Sequence, residues 1–223
     1  MRHLFLSILL LAAFASAAQT DSTATHGKFH PYEKKSFLFT LGVGFADQYR
    51  TELRLPADFK NDQVTGFAPI FARLEYGLTK HISIAFTAMY DNFYDNYDQL
   101  FYGNGETFKR FYTDDVRIFG GTVAGYYHLD KYIQVRNMDI FAGGGLSLNN
   151  IRHSSAPQTD SMSTIVFSHS LNLYLKVGMR YFLSAKTAVY ADLGYEKQSI
   201  LNIGLSYRFY KRSKIAALLP ASK

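Results

Sequence analysis

Cysteine and tryptophan are both missing from this 223-residue sequence, and proline occurs only five times. Without Cys there is no disulfide framework and no thiolate metal site, and a lipid anchor on a processed N-terminal Cys is not expected. No apolar run reaches the ~20 residues of a membrane-spanning helix. The net charge of +6 is modest and partly carried by Lys211, Arg212, Lys214 and Lys223, so no nucleic-acid partner is expected. Abundant instead are Phe (19), Tyr (17) and Gly (16). An exported chain this aromatic, with no spanning helix, is either a soluble β protein or a closed membrane barrel.

Export is indicated at the start. Arg2 and His3 precede the short apolar stretch 4–14, and Ala15-Ser16-Ala17 is an A-x-A cleavage site. Residues 1–18 thus read as a signal peptide, and 19–35 as a polar, flexible leader. Residues 36–210 form one β domain, and 211–223 a basic periplasmic tail.

Eight stretches in that domain alternate with a period of two, which places successive side chains on opposite faces of a strand. They cover 36–46, 67–78, 82–90, 117–129, 139–149, 168–181, 189–195 and 199–210. In the sixth, Leu171, Leu173, Leu175, Val177, Met179 and Tyr181 oppose Asn172, Tyr174, Lys176, Gly178 and Arg180. The fourth is the least regular, because Ile118 and Phe119 fall on opposite faces. The connections alternate in length. Short or medium ones fall at Thr79-Lys80, 130–137 and 184–186; long ones fall at 47–66, 91–116 and 150–167, with a short one at 196–199. Short periplasmic turns with long external loops are the asymmetry of a membrane barrel. The expectation is an all-β, eight-stranded antiparallel up-and-down transmembrane β-barrel.

A soluble barrel carrying a ligand would show the same period with its faces exchanged. The composition of the less apolar face argues for lipid outside. It is rich in Gly, including Gly42, Gly44, Gly143, Gly145, Gly178 and Gly204, which suits a narrow interior. The apolar face ends repeatedly in Tyr, at positions 76, 90, 127, 181, 195 and 207, as an interfacial girdle does. Arg73, Glu75, Lys176, Arg180, Asp192 and Arg208 then point into the lumen, where they need partners. Arg208 with Asp192, and Arg180 with Asp192, are the expected neighbours. Side chains can fill an eight-stranded interior, so a plug is favoured over a charged constriction for ions.

The signal peptide, Leu74-Glu75-Tyr76-Gly77-Leu78-Thr79, Lys176-Val177-Gly178-Met179-Arg180-Tyr181 and Ile203-Gly204-Leu205-Ser206-Tyr207-Arg208-Phe209 together resemble the small outer-membrane β-barrel proteins of Gram-negative bacteria, especially barrel families abundant in Bacteroidetes. The resemblance implies integral residence in the cell outer membrane and insertion by the barrel assembly machinery. It also implies contact with membrane lipid including lipopolysaccharide. Members commonly end at the last strand's aromatic, whereas here residues 211–223 follow Tyr210.

Few motifs carry chemistry. His153 with Ser154 or Ser155, and His169 with Ser168 or Ser170, are the Ser/His pairs a lipid A-modifying barrel would use. Adjacent strand residues point apart, and no orienting acid is evident. Asp91, Asp95, Asp98 and Glu106 offer oxygen ligands for Ca²⁺ without the order of an EF-hand loop. Gly143-Gly144-Gly145 precedes no helix and is no phosphate loop. His26 and His30 belong to the leader. No catalytic residue, metal or cofactor is assigned, and an enzyme is not expected. In the segment 91–115, Phe93, Tyr94, Tyr97, Phe101 and Tyr102 form a candidate contact surface, unless the flanking strands continue as a hairpin turning at Gly103-Asn104-Gly105. The expected function is a structural, adhesive or interaction role through the external loops. The alternatives are a small porin or transport channel, a lipid A-modifying enzyme and a soluble ligand carrier.

Overall fold

The computed structural model describes residues 34–52, 59–103, 106–129, 132, 137–157 and 164–209. The expected signal peptide, leader residues 19–33 with His26 and His30, and the tail 211–223 lie outside the described residues. The described strands are β1 (Phe37–Phe45), β2 (Phe59–Gly66), β3 (Ile70–Gly77), β4 (Ile82–Gly103), β5 (Glu106–His128), β6 (Met138–Pro157), β7 (Thr164–Phe182), β8 (Thr187–Tyr195) and β9 (Leu201–Phe209). A five-residue helix, α1 (Gln48–Glu52), follows β1.

Eight of these strands form a closed antiparallel ring in the order β1-β3-β4-β5-β6-β7-β8-β9. β9 returns to β1 through Phe37↔Phe209 to Phe45↔Leu201. β2 stands outside the ring. It pairs with β4 at Phe93 to Gln99, directly beyond the β3 pairing that ends at Ile70↔Tyr90. β2 and β3 are thus one track interrupted at 67–69. Gly66 makes the break possible: its φ is +156°, and a Cβ there would lie 2.6 Å from the Asn92 carbonyl oxygen.

Alternation sorts the side chains as the sequence implies. Leu41, Leu74, Phe86, Val123, Leu146, Leu173, Val177, Leu193 and Leu205 all face outward and are exposed. Every strand of the ring contributes, so the apolar surface is a continuous belt. A soluble monomer rarely exposes a patch beyond a few hundred Å². The nine residues of β1, at ~3.3 Å each and tilted by ~40°, rise about 23 Å, close to the ~25 Å apolar band of a membrane barrel. Tyr76, Tyr127, Tyr181 and Tyr207 lie near the end holding the short turns, and Tyr90 and Tyr195 near the other. The belt and its girdles make this a membrane-spanning barrel.

Two expectations are corrected. The fourth strand begins at Glu106, well before 117, and the loops expected at 91–116 and 150–167 are largely strand. Over 91–115 the hairpin reading of the sequence holds, with β4 and β5 paired out to Gly103↔Glu106, while β6 reaches Pro157 and β7 starts at Thr164. Likewise 47–66 contains α1 and β2. The cause is physical. Beyond the lipid the outward face no longer has to be apolar, so Asn92 and Asn96 occupy positions that Ile84 and Phe86 hold lower down. The hydrogen-bond ladder continues where the hydropathy signal stops.

Candidate functional site

The lumen is filled by long side chains in layers. Near the short-turn end, Arg180 sits between two carboxylates. It donates to Asp139 at 2.9 Å and also to Glu75. His128 lies between the same two acids, its Nδ1 2.7 Å from Asp139 and its Nε2 3.2 Å from Glu75. Ser83 donates to Glu75 at 2.9 Å. The Arg180 guanidinium stacks over Phe141 at 4.5 Å, and Arg208 over Phe182 at 4.3 Å.

One layer up, Arg73 donates to Thr87 at 3.0 Å, to the Tyr174 hydroxyl at 2.7 Å, to Tyr190 and to Asp192 at 3.2 Å. Tyr126 and Tyr174 share a hydroxyl–hydroxyl bond of 2.6 Å. Phe71, Phe141, Met89 and Ala124 pack around these rings. Above them Lys176 donates to the Ser199 carbonyl at 2.6 Å and lies 3.5 Å from both Asp192 and Glu196. Asp192 also accepts from Asn202 at 2.9 Å. A buried charge is tolerable only when paired and hydrogen-bonded, and each layer supplies that pairing from several strands.

All six charges expected inside are buried, but two of the expected neighbours are wrong. Asp192 binds Arg73 and Lys176 where Arg208 and Arg180 were expected. The register gives the reason. β7 and β8 pair as Gly178↔Asp192 and Arg180↔Tyr190, so Arg180 lies a step below Asp192 and turns to Glu75 and Asp139. Arg208 is lower still, opposite Leu38 at the end of the barrel. Sequence reasoning left out Asp139, His128, Tyr126, Tyr174 and Tyr190 as members of the network. Face parity alone identifies them, since each alternates with a lipid-facing neighbour.

At the opposite end the chain after β1 folds over the mouth. Tyr49 of α1 is buried, its hydroxyl 2.7 Å from Ser170 and accepting from Asn149 at 3.1 Å. Arg50 bonds Asp91 at 2.6 Å, lies 3.3 Å from Asp47 and stacks over Phe93 at 5.0 Å. Burial, reinforced by the neighbouring Asp91 carboxyl, pushes Asp47 up to about 8. Tyr49, Phe93, Val116 and Ile118 form a small apolar cluster there.

Beyond the mouth, β2, β4, β5, β6 and β7 continue as a wall on one side, while β8 and β9 turn back through Glu196 to Ile200. The expected contact surface is divided by parity. Tyr94 is exposed, whereas Phe93 and Tyr97 are buried on the inner face, Tyr97 stacked on Tyr112 at 5.6 Å. The side chains of Phe101 and Tyr102 lie outside the described residues. Two of the acids considered for Ca²⁺ hold cationic side chains: Asp91 takes Arg50, and Asp98 takes Lys109 at 2.6 Å. His153 lies 3.0 Å from Asp114, whose hydrogen bond holds the imidazole above its ordinary range, and Ser155 is bonded to Tyr97. His169 bonds Asn150 while Ser170 points inward to Tyr49.

No protein-family model matches the chain, and no curated protein matches it. Among solved structures it is similar to the outer membrane protein OprG from Pseudomonas aeruginosa, at 12% identity and a TM-score of 0.52, covering 81% of this chain and 98% of that one. It also aligns with Ail, the attachment invasion locus protein of Yersinia pestis, at 12% identity and a TM-score of 0.44, over 79% of this chain and 100% of the other. The N-terminal β-barrel domain of OprF from Pseudomonas aeruginosa aligns at 13% and 0.40, over 79% and 98%. The OprG likeness is one of fold, an eight-stranded outer-membrane barrel. None of the three points to the Bacteroidetes branch suggested by the strand motifs.

Proposed function

We propose that the chain is an integral protein of the cell outer membrane with a structural, adhesive or interaction role, performed by the wall above the membrane and not by the lumen. The observation that carries this reading is the contrast between the two ends of the inward face. Arg73, Arg180, Tyr126, Tyr174, Tyr190 and Phe141 fill the lumen, the two arginines held by Glu75, Asp139, Asp192 and the tyrosine hydroxyls. Meanwhile β4 and β5 run about two and a half times the length of β1, at 22 and 23 residues against nine. A strand of nine residues already spans the apolar band, so the excess serves something outside. Insertion by the barrel assembly machinery and contact with lipopolysaccharide belong to the same reading.

The test compares cells displaying the full chain with cells in which residues 97–112 are replaced by Asn-Gly, closing the hairpin on the Asn96↔Thr113 pair. Adherence is scored on surfaces coated with serum and matrix proteins, and between cells. The full chain adheres and the shortened one does not. Equal adherence by both, at equal surface levels, overturns the reading.

A further inference from the structure

The wall has two edges, and only one is protected. Exposed strand edges are normally blunted by charge, proline or a bulge, because their free backbone groups pair with any extended chain. The β2 edge is broken by a register irregularity between Lys60 and Gln63. The β7 edge has no such device. Residues 164–175, TIVFSHSLNLYL, contain no Lys, Arg, Asp, Glu or Pro, and the pairing with β6 runs without a shift from Ser155↔Thr164 to Met138↔Tyr181. On its other side β7 pairs with β8 only as far as Leu175↔Tyr195. Among the described residues no strand pairs with that side of 164–174.

The backbone directions on this edge follow from the lower end of the strand. The Phe182 N–H donates to the Asn137 carbonyl on the β6 side, and the Leu183 N–H to the Thr187 carbonyl on the β8 side. With an unbroken period of two, even residues point their N–H and C=O to β6 and odd residues point theirs away. Ile165, Phe167 and His169 therefore present donor and acceptor pairs along an open edge, which continues through Leu171 down to Leu173 at the belt. Their side chains stand out from the wall, with Phe167 69% exposed.

We infer that this edge is a docking site for an extended, uncharged segment of another protein, which adds to the wall as a strand on the track above β8. The inference rests on the proposed role of the wall and names the partner's chemistry. Donors and acceptors in a strand's spacing match a second backbone. The absence of Lys, Arg, Asp and Glu gives a charged partner nothing to pair with. Within the described residues β1 begins and β9 ends together at the opposite end of the barrel, at Phe37↔Phe209. A second copy in the same membrane does not fit. Antiparallel pairing of identical edges needs a two-fold axis normal to the sheet, which would turn the copy upside down. An axis along the membrane normal crosses two edges, each tilted by ~40°, at about 80°.

The experiment uses the refolded full chain in detergent and, as probe, an acetylated and amidated Thr-Val heptapeptide bearing a fluorophore. A version N-methylated at alternate residues has the same side chains but cannot complete the ladder. Anisotropy gives affinity, and hydrogen exchange gives the site. The unmodified peptide should bind and slow exchange at Phe167 and His169, while the N-methylated one does not. Phe167→Pro with His169→Pro removes two outward N–H groups and no backbone bond to β6; the His169–Asn150 side-chain bond goes too, as it does in the alanine pair below, so binding should fall about ten-fold or more with heat-modifiability unchanged. Phe167→Ala with His169→Ala should bind within about three-fold of the parent, since the backbone is intact. Equal binding of both peptides, indifference to the proline pair, or no binding at all overturns the inference. If cells carrying the proline pair adhere as the parent does while the shortened wall still abolishes adherence, the edge is wrong and the role of the wall stands.

Discussion

Arg180 shows how tightly the lumen is specified by single residues. Its guanidinium is shared by Glu75 and Asp139, and His128 closes the group from the other side. Removing one partner of a buried pair leaves an uncompensated charge, which typically costs ~3–5 kcal/mol. Arg180→Met should therefore lower the unfolding free energy in lipid vesicles, read by urea titration, by about that amount. Adding Glu75→Gln should restore part of it; no loss in the single variant would mean the layer is not electrostatically coupled. Asp47 gives a pH dependence of opposite origin. Its carboxyl is raised in the closed mouth from the ordinary 3.8 to about 8 by burial and by Asp91. The closed form thus binds the extra proton. Its advantage is complete below about 4, declines as the pH rises through about 8, and is level above that. Besides Asp91, the charges facing this corner are Arg50 and Lys197, whose ammonium sits 5.4 Å over Tyr49. Hydrogen exchange at Tyr49 and Arg50, corrected for its intrinsic pH dependence, should quicken across that window. In Asp47→Asn it should be flat.

At the scale of elements, the barrel and the wall are held by different forces. Below the mouth, lipid outside and ion pairs inside fix each strand's register, and a slip of one residue would place Lys176 and Arg180 in the bilayer at ~2–4 kcal/mol each near the midplane. The wall lacks that constraint and depends on its ladder. Replacing 97–112 by Asn-Gly should leave the barrel folded and heat-modifiable, with an unfolding midpoint closer to the parent than that of Arg180→Met. Loss of the folded band would mean that the hairpin is part of the folding unit. The same division explains what could be read from the residues. The eight lipid-crossing strands and the inward charges follow from parity, because lipid demands an apolar partner at every second position. The upper halves of β6 and β7 do not, and those of β4 and β5 follow only from the turn residues Gly103-Asn104-Gly105, since Asn92 and Tyr94 alternate with Asp91 and Phe93 as polar and aromatic mixtures on both faces. The pairings inside the lumen depend on strand stagger, a long-range quantity that no local pattern encodes. α1 is too short to leave a periodic signal, though Tyr49 and Arg50 close the mouth.

For the whole molecule, the ring, its belt and its filled lumen describe a closed body that anchors a one-sided wall. β8, β9 and β1 stop at the membrane with nine residues each, while their neighbours across the ring continue. That asymmetry is the feature a pore does not need and a display scaffold does. The central claim is that the lumen is a plug, and single-channel recording in planar bilayers tests it most directly. Refolded protein that is inserted, as verified by heat-modifiability, should give no conductance steps above those of protein-free membranes between about pH 5 and pH 7, because the side chains that fill the lumen stay in place whether the mouth is closed or not. Stable, ohmic steps from the parent chain would contradict the account, because ions would then be crossing layers that Arg73, Tyr174 and Arg180 are described as filling.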